Sequence, residues 1–91
     1  MSRIRVERSH SLGREAAREK AERLAERLAS EYSVRYRWNG DTLEFNRSGA
    51  DGSIAVGEDT VRVELKLGLL LSPMGGMIQR EIEQVLDKSL I

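Results

Sequence analysis

Residues 61–69 alternate strictly between apolar positions and polar or glycine positions, and this pattern constrains the fold more than any other feature of the chain. One parity is apolar throughout: Val61, Val63, Leu65, Leu67 and Leu69. The other parity holds Arg62, Glu64, Lys66 and Gly68. Successive side chains of a β-strand point to opposite faces of its sheet. The run therefore predicts a long strand in a sheet that has one buried face and one face in water.

Four shorter runs repeat the alternation and predict further strands. They cover residues 4–6, 34–38, 42–46 and 54–56. Asn39-Gly40 separates the second run from the third and predicts a type I′ hairpin turn, because both residues tolerate a positive φ. Turn-forming segments at 47–52 and 57–60 separate the later runs. These short connections predict an antiparallel meander.

Two segments have helical periodicity instead. In residues 12–32, apolar side chains recur at spacings of four, three and four: Ala17, Ala21, Leu24 and Leu28. Ser11 is suited to cap that helix at its N-terminus. In residues 74–89 the apolar stripe consists of Ile78, Ile82, Val85 and Leu86. Pro73 suits the start of this second helix, although Gly75-Gly76 leaves open a start nearer Met77.

The order of elements predicts an α+β fold, β-α-β-β-β-β-α, in a single domain over residues 1–91. Reversal at each turn places the first strand beside the fifth, which gives a five-stranded antiparallel sheet of order 1-5-4-3-2. Both helices then cover the apolar face, in an arrangement resembling a miniature helix-grip. The uncovered face displays charged residues, among them Arg3, Arg5, Glu7, Arg62 and Glu64. That face is either a solvated surface or a flat protein-binding surface.

Composition excludes several kinds of site. Fifteen basic and fifteen acidic residues cancel, which removes the usual electrostatic drive to bind nucleic acid. No apolar run approaches the ~20 residues of a membrane span, so we expect a cytoplasmic protein. The chain has no cysteine and one histidine, and we predict no metal and no cofactor. That histidine, His10, continues the parity of Ile4 and Val6, which favours a structural position at the end of the apolar face over a catalytic one.

The apolar stretch L-G-L-L-L-S-P-M-G-G-M at residues 67–77 is the candidate binding segment. Leu70 breaks the alternation, and methionines beside glycines are typical of adaptable apolar surfaces. The predicted partner-binding residues are Leu70, Leu71, Met74 and Met77. The alternative interpretation is that these side chains only close the end of the core.

Four segments in this order resemble the polyhydroxyalkanoic acid system proteins, small granule-region proteins of bacteria. They are H-S-L-G-R-E-A-A-R at 10–18, W-N-G-D-T-L-E-F at 38–45, G-A-D-G at 49–52 and L-G-L-L-L at 67–71. The resemblance spans nearly the whole chain. It implies an accessory role in polyhydroxyalkanoate metabolism at the storage granule, and it brings no catalytic residues with it.

Three functions are therefore open. The first is a non-enzymatic accessory protein that binds a polyhydroxyalkanoate granule or a granule protein through its apolar edge. The second is a small carrier of a hydroxyacyl or fatty acyl chain, held between sheet and C-terminal helix by Tyr36, Trp38, Phe45, Leu67 and Ile82. The third is an enzyme that uses His10 with a carboxylate such as Asp51. A homo-oligomer is compatible with each of them.

Overall fold

The computed structural model describes residues 2–69 and 71–90. It contains β1 (Ser2–Ser9), α1 (Arg14–Tyr32), β2 (Arg35–Asn39), β3 (Thr42–Arg47), β4 (Ala50–Val56) and β5 (Thr60–Leu67), then a 3₁₀ turn (Ser72–Met74) and α2 (Gly75–Ser89). All strand pairs are antiparallel, in the order β1-β5-β4-β3-β2. The predicted α+β fold and strand order are confirmed. None of the helices in these two ranges is long and apolar enough to cross a bilayer.

The covered face of the sheet is apolar, as the alternation predicts. Its most deeply buried strand residues are Leu43, Phe45, Ile54, Val61, Val63 and Leu67. Helix α1 packs on this face with a seam rich in alanine, whose small side chain lets the helix backbone approach the sheet closely; the buried residues are Ala17, Ala21, Leu24, Ala25 and Leu28. Helix α2 packs with larger side chains, Ile78, Ile82 and Leu86. One apolar core thus lies between the sheet and both helices.

Four local predictions were wrong, and longer-range backbone contacts overruled the first two. Strand β5 ends at Leu67, and Leu69 is 81% exposed rather than on the covered face. The reason is that Gly68 N donates to Gly49 O at 2.7 Å while Gly68 O accepts from Leu71 N, so the chain turns. Strand β4 begins at Ala50, inside the predicted turn segment, because Ala50 pairs with Leu67 of β5.

The third error concerns the start of α1. The helix begins at Arg14, and its N-cap residue is Gly13 with φ 85°, without a side-chain cap from Ser11. The hairpin between β2 and β3 is confirmed, but its turn lies one residue later than predicted. Gly40 has φ 63°, whereas Asn39 belongs to β2. A glycine at the first central position is typical of a type II′ turn.

Candidate functional site

The connection from β5 to α2 forms a compact turn at one end of the sheet. Gly68 anchors it, since its carbonyl accepts hydrogen bonds from Ser72 N and Ser72 Oγ, both at 3.0 Å. Gly49, in the neighbouring β3–β4 turn, has φ 85°, a conformation that favours glycine. A side chain at Gly68 would lie 3.4 Å from the Gly49 carbonyl oxygen. The two glycines therefore allow the two turns to approach each other closely.

This connection presents apolar side chains, and we call the group Leu69, Leu71, Met74 and Met77 the apolar end. Leu69 is 81% exposed and Met77 is 61% exposed. Leu71 and Met74 are half-buried and pack against the core. The predicted binding residue Leu70 lies outside the described residues. Two of the four predicted residues thus contribute to closing the core, and Met77 is open to a partner.

Leu69 is the exposed residue that sequence reasoning missed. Its parity with Leu67 assigned it to the core. The signal that pointed the other way was Gly68, because a glycine inside a strand pattern often marks a bend or a close backbone approach. Leu69, which the alternation assigned to the covered face of the sheet, is therefore the most exposed large apolar side chain among the described residues.

The core beneath the apolar end is filled. An apolar cavity of about 20 Å³ lies there, and Phe45 and Leu67 are among its lining residues. This volume is about that of one water molecule, whereas ligand pockets usually measure ~300–1,000 Å³. Ile82, a third residue of the predicted acyl pocket, is completely buried. An acyl chain would enter here only if the helices moved away from the sheet.

The other two predicted pocket residues, Tyr36 and Trp38, are half-buried on β2. Trp38 contacts α1, since its Nε1 donates to Glu22 Oε1 at 2.7 Å. The Arg18 guanidinium lies 4.1 Å from the centre of the Trp38 ring, a cation–π contact. Trp38 therefore joins the edge of the sheet to the polar side of the helix.

The face of the sheet away from the helices, which we call the open face, carries charges in rows across the strands. In one row Arg5 lies opposite Glu64, and Arg37 lies opposite Glu44. In the next row the Arg62 Nε lies 3.2 Å from Glu7 Oε2. Cross-strand pairs of opposite charge stabilise such a face in water. The predicted charged face is confirmed.

A polar cluster beside the apolar end joins the two helices. The Tyr32 hydroxyl donates to Glu81 Oε2 at 2.8 Å, and Arg27 Nε donates to Glu81 Oε1 at 2.9 Å. Burial, together with the bond to Glu81, raises the pKa of Tyr32 to about 12. Hydrogen bonds, the largest from Glu31 and then those from Tyr32 and Arg27, hold the pKa of Glu81 below its ordinary value against an opposing effect of burial.

His10 lies at the other end of the sheet, between β1 and α1. It is 8% exposed, and its backbone N donates to Asp59 O at 2.8 Å. Its Nδ1 accepts from Leu12 N at 3.2 Å, whereas Nε2 has no hydrogen-bond partner among the described residues. The imidazole thus accepts a backbone N–H in the turn between β1 and α1, one residue before the N-cap Gly13.

The structure does not bring His10 and Asp51 together. Asp51 lies opposite Lys66, and Lys66 lies opposite Arg3 at the far end of β1. At about 3.3 Å per residue along a strand and about 4.8 Å between neighbouring strands, this arrangement separates His10 from Asp51 by roughly 25 Å. The pair proposed for an enzyme therefore does not form a site.

Comparison with known proteins assigns the chain to a family. The model of the family described as "putative polyhydroxyalkanoic acid system protein" matches residues 4–90. No curated protein and no solved structure matches the chain. The match covers the sheet, both helices and the apolar end, so the resemblance seen in four short segments extends over the whole fold. The chain belongs to the family of polyhydroxyalkanoic acid system proteins.

Proposed function

We propose that this protein is a non-enzymatic, cytoplasmic accessory protein of polyhydroxyalkanoate metabolism that binds the storage granule through its apolar end. The family supports the link to polyhydroxyalkanoate. The observation that carries the binding mode is the exposure of Leu69 on a turn anchored by Gly68. Binding to an apolar surface removes such a side chain from water.

The energetics of this contact are those of hydrophobic burial. Full burial of one leucine or methionine side chain stabilises by about 1.5–3 kcal/mol. Leu69 and Met77 flank the 3₁₀ turn in the sequence, and we propose that both contribute to the same contact. Half-buried Leu71 and Met74 support the turn from below, which limits the entropy lost when it binds. The binding partner is either the polyester surface or an apolar patch of a granule protein.

A sedimentation assay tests this proposal. Purified protein is mixed with native granules or with polyhydroxyalkanoate particles free of protein, and the bound fraction is measured after centrifugation. Binding to both preparations indicates the polymer surface, and binding to native granules alone indicates a granule protein. Leu69→Asp and Met77→Asp should each weaken binding roughly tenfold or more, by the loss of one buried apolar side chain.

The matched control is Ser11→Asp. It introduces the same charge at an exposed position at the opposite end of the sheet, and should leave binding unchanged. Wild-type protein that stays in the supernatant with both preparations contradicts the proposal. So does equal binding by Leu69→Asp and the wild type.

The non-enzymatic part of the proposal has its own test. His10 is buried and roughly 25 Å from Asp51, by a rise of about 3.3 Å per residue and about 4.8 Å between strands. His10→Asn keeps an acceptor near the position of Nδ1 for Leu12 N and removes Nε2. We expect this variant to support the same granule content in cells as the wild type. A loss of function in a stably folded His10→Asn protein would indicate that the imidazole does chemistry.

A further inference from the structure

The two edges of the sheet differ in a way that points to a partner. Strands β1 and β2 are the edge strands, and an edge strand has backbone groups available for pairing with another chain. On the open face β1 presents both signs of charge, Arg3, Arg5 and Glu7, whereas β2 presents Arg35 and Arg37 without an acid. An edge of mixed charge can complement a copy of itself, and an edge of one sign cannot.

The free backbone groups of β1 belong to its odd-numbered residues. His10 N donates to Asp59 O, which makes that position a hydrogen-bonded pair of the β1–β5 ladder. Because hydrogen-bonded pairs recur at every second residue, the even-numbered residues of β1 bond to β5. The N–H and C=O groups of Arg3, Arg5, Glu7 and Ser9 then point away from the sheet.

The Arg8 side chain agrees with this assignment. Its Nη1 donates to the Glu7 carbonyl at 3.0 Å, so that carbonyl lies on the outer edge. In the part of the chain that the structure describes, this is the one hydrogen bond placed on that edge. It is exposed, and a backbone N–H from another strand can replace it.

We infer that two copies of the chain pair antiparallel through their β1 strands, with a two-fold axis at Val6, to form a continuous ten-stranded sheet. A two-fold interface places the same strand on both sides. In this register Arg5 lies opposite Glu7 of the second copy, and Glu7 lies opposite its Arg5. Each such pair exchanges two backbone hydrogen bonds.

Charge selects this register over its neighbours. Since Glu64 lies opposite Arg5 and Arg62 opposite Glu7 within each copy, the row across the interface reads Glu64, Arg5, Glu7, Arg62, with alternating sign. A shift of the axis to Arg5 brings the two Arg5 side chains together. A shift to Ile4 sets Arg3 against Arg5. Opposite charges across strands stabilise and like charges destabilise, so the axis at Val6 is favoured.

The test exploits charge reversal. Arg5→Glu sets a new carboxylate against Glu7 of the second copy, and Glu7→Arg sets a new guanidinium against its Arg5. Each single variant should therefore be monomeric at concentrations where the wild type is dimeric by analytical ultracentrifugation. Mixing the two variants restores opposite charges at both positions. The mixture should form a heterodimer, detected by mass when one variant carries an isotope label.

Hydrogen exchange locates the interface. In the dimer the amides of Arg3, Arg5, Glu7 and Ser9 should become protected, and on dilution they should lose protection together. The amides of Ile4, Val6 and Arg8 should stay protected in both states, because they bond to β5. Arg5→Pro is a third probe, since proline removes an edge N–H without touching the ladder.

Three results would overturn the inference. They are a monomeric wild type up to millimolar concentration, a dimer that Arg5→Pro and both charge reversals leave intact, and single variants that fail to associate when mixed. Thermal unfolding of each variant separates loss of pairing from loss of folding. The inference is independent of the granule proposal, because its residues lie on β1 and not at the apolar end.

Discussion

The two faces of the sheet are built by the same five strands, yet they depend on different physics. Phe45 on the covered face is 2% exposed, whereas its neighbour Glu44 on the open face is half-exposed and lies 3.6 Å from Arg37. The covered face is stabilised by apolar burial, which is not directional and is large per side chain. The open face relies on exposed ion pairs, which contribute little individually. Neighbouring residues should therefore differ several-fold in their effect on stability.

The largest effect is expected from Phe45→Ala. The ring packs over Gly52, on the covered face, and its Cζ lies 3.0 Å from where a Cβ at Gly52 would stand. Its removal leaves a cavity, and we expect the free energy of unfolding to fall by about 3–5 kcal/mol, measured by urea denaturation. Glu44→Ala is the matched control, one residue away on the open face. It should change the free energy of unfolding by no more than about 0.5 kcal/mol. Equal losses of stability in the two variants would contradict the expected difference between the covered and the open face.

Gly52→Ala should produce the next largest effect. A Cβ there would overlap with the Glu64 carbonyl oxygen and lie 3.0 Å from Leu65 Cα. Overpacking of this kind typically costs about 1–3 kcal/mol, and a lower thermal midpoint would show it. Gly76→Ala is the control with opposite sign. Nothing lies within 4 Å of a Cβ at Gly76, and alanine in α2 should stabilise by up to about 1 kcal/mol.

The cluster that joins the helices over the covered face should make stability depend on pH. The pKa of Glu81 is lowered, first by its bond to Glu31 and then by Tyr32 and Arg27. The charged Glu81 carboxylate therefore stabilises the fold above the ordinary carboxyl pKa of 4.5. This stabilisation is lost as pH falls through the lowered pKa. Glu81→Gln should cost about 1 kcal/mol at pH 7, and denaturation across pH should show this difference shrinking in acid.

Glu31 provides the contrast within this cluster. The hydrogen bond to Glu81, followed by partial desolvation, raises the pKa of Glu31, so folding disfavours the charged form of this carboxyl relative to the unfolded chain. Glu31→Gln imitates the protonated carboxyl. It should not lower stability at pH 7, and a loss equal to that of Glu81→Gln would show that the two carboxyl groups are not distinguished as described.

Among residues of the sheet, the smallest effect is expected on the open face. Arg62 lies 3.2 Å from Glu7 and 4.0 Å from Glu64, in side chains more than 40% exposed. Arg62→Ala should lower stability by less than about 0.5 kcal/mol, and ~1 M salt should abolish the difference. Val63→Ala, one residue along the strand but completely buried, should cost about 2 kcal/mol in either salt. If Arg62→Ala lowered stability as much as Val63→Ala, and did so in high salt as well, the expected difference between the two faces would be contradicted.

Sequence reasoning reached the strands, the sheet order and the faces because these follow from local alternation and short turns. It failed where a contact that alternation and turn signals do not encode decides the conformation. Leu69 continues the alternation of β5, but the bond from Gly68 to Gly49 ends the strand at Leu67. Ser11 has a suitable side chain for a cap, but the turn into α1 is held by His10 Nδ1. The first of these errors affects the candidate site, because Leu69, the most exposed residue of the apolar end, was predicted to lie in the core.

The amino-acid order alone determined that this chain builds an antiparallel sheet with one apolar and one charged face, because side-chain parity in a strand is a property of the backbone itself. The amino-acid sequence also established the family, because the family model matches residues 4–90. Only the tertiary structure decided which apolar side chains remain outside the core and which backbone groups of β1 point away from the sheet. Those outcomes depend on contacts between turns far apart in the sequence, whose energies no local pattern encodes.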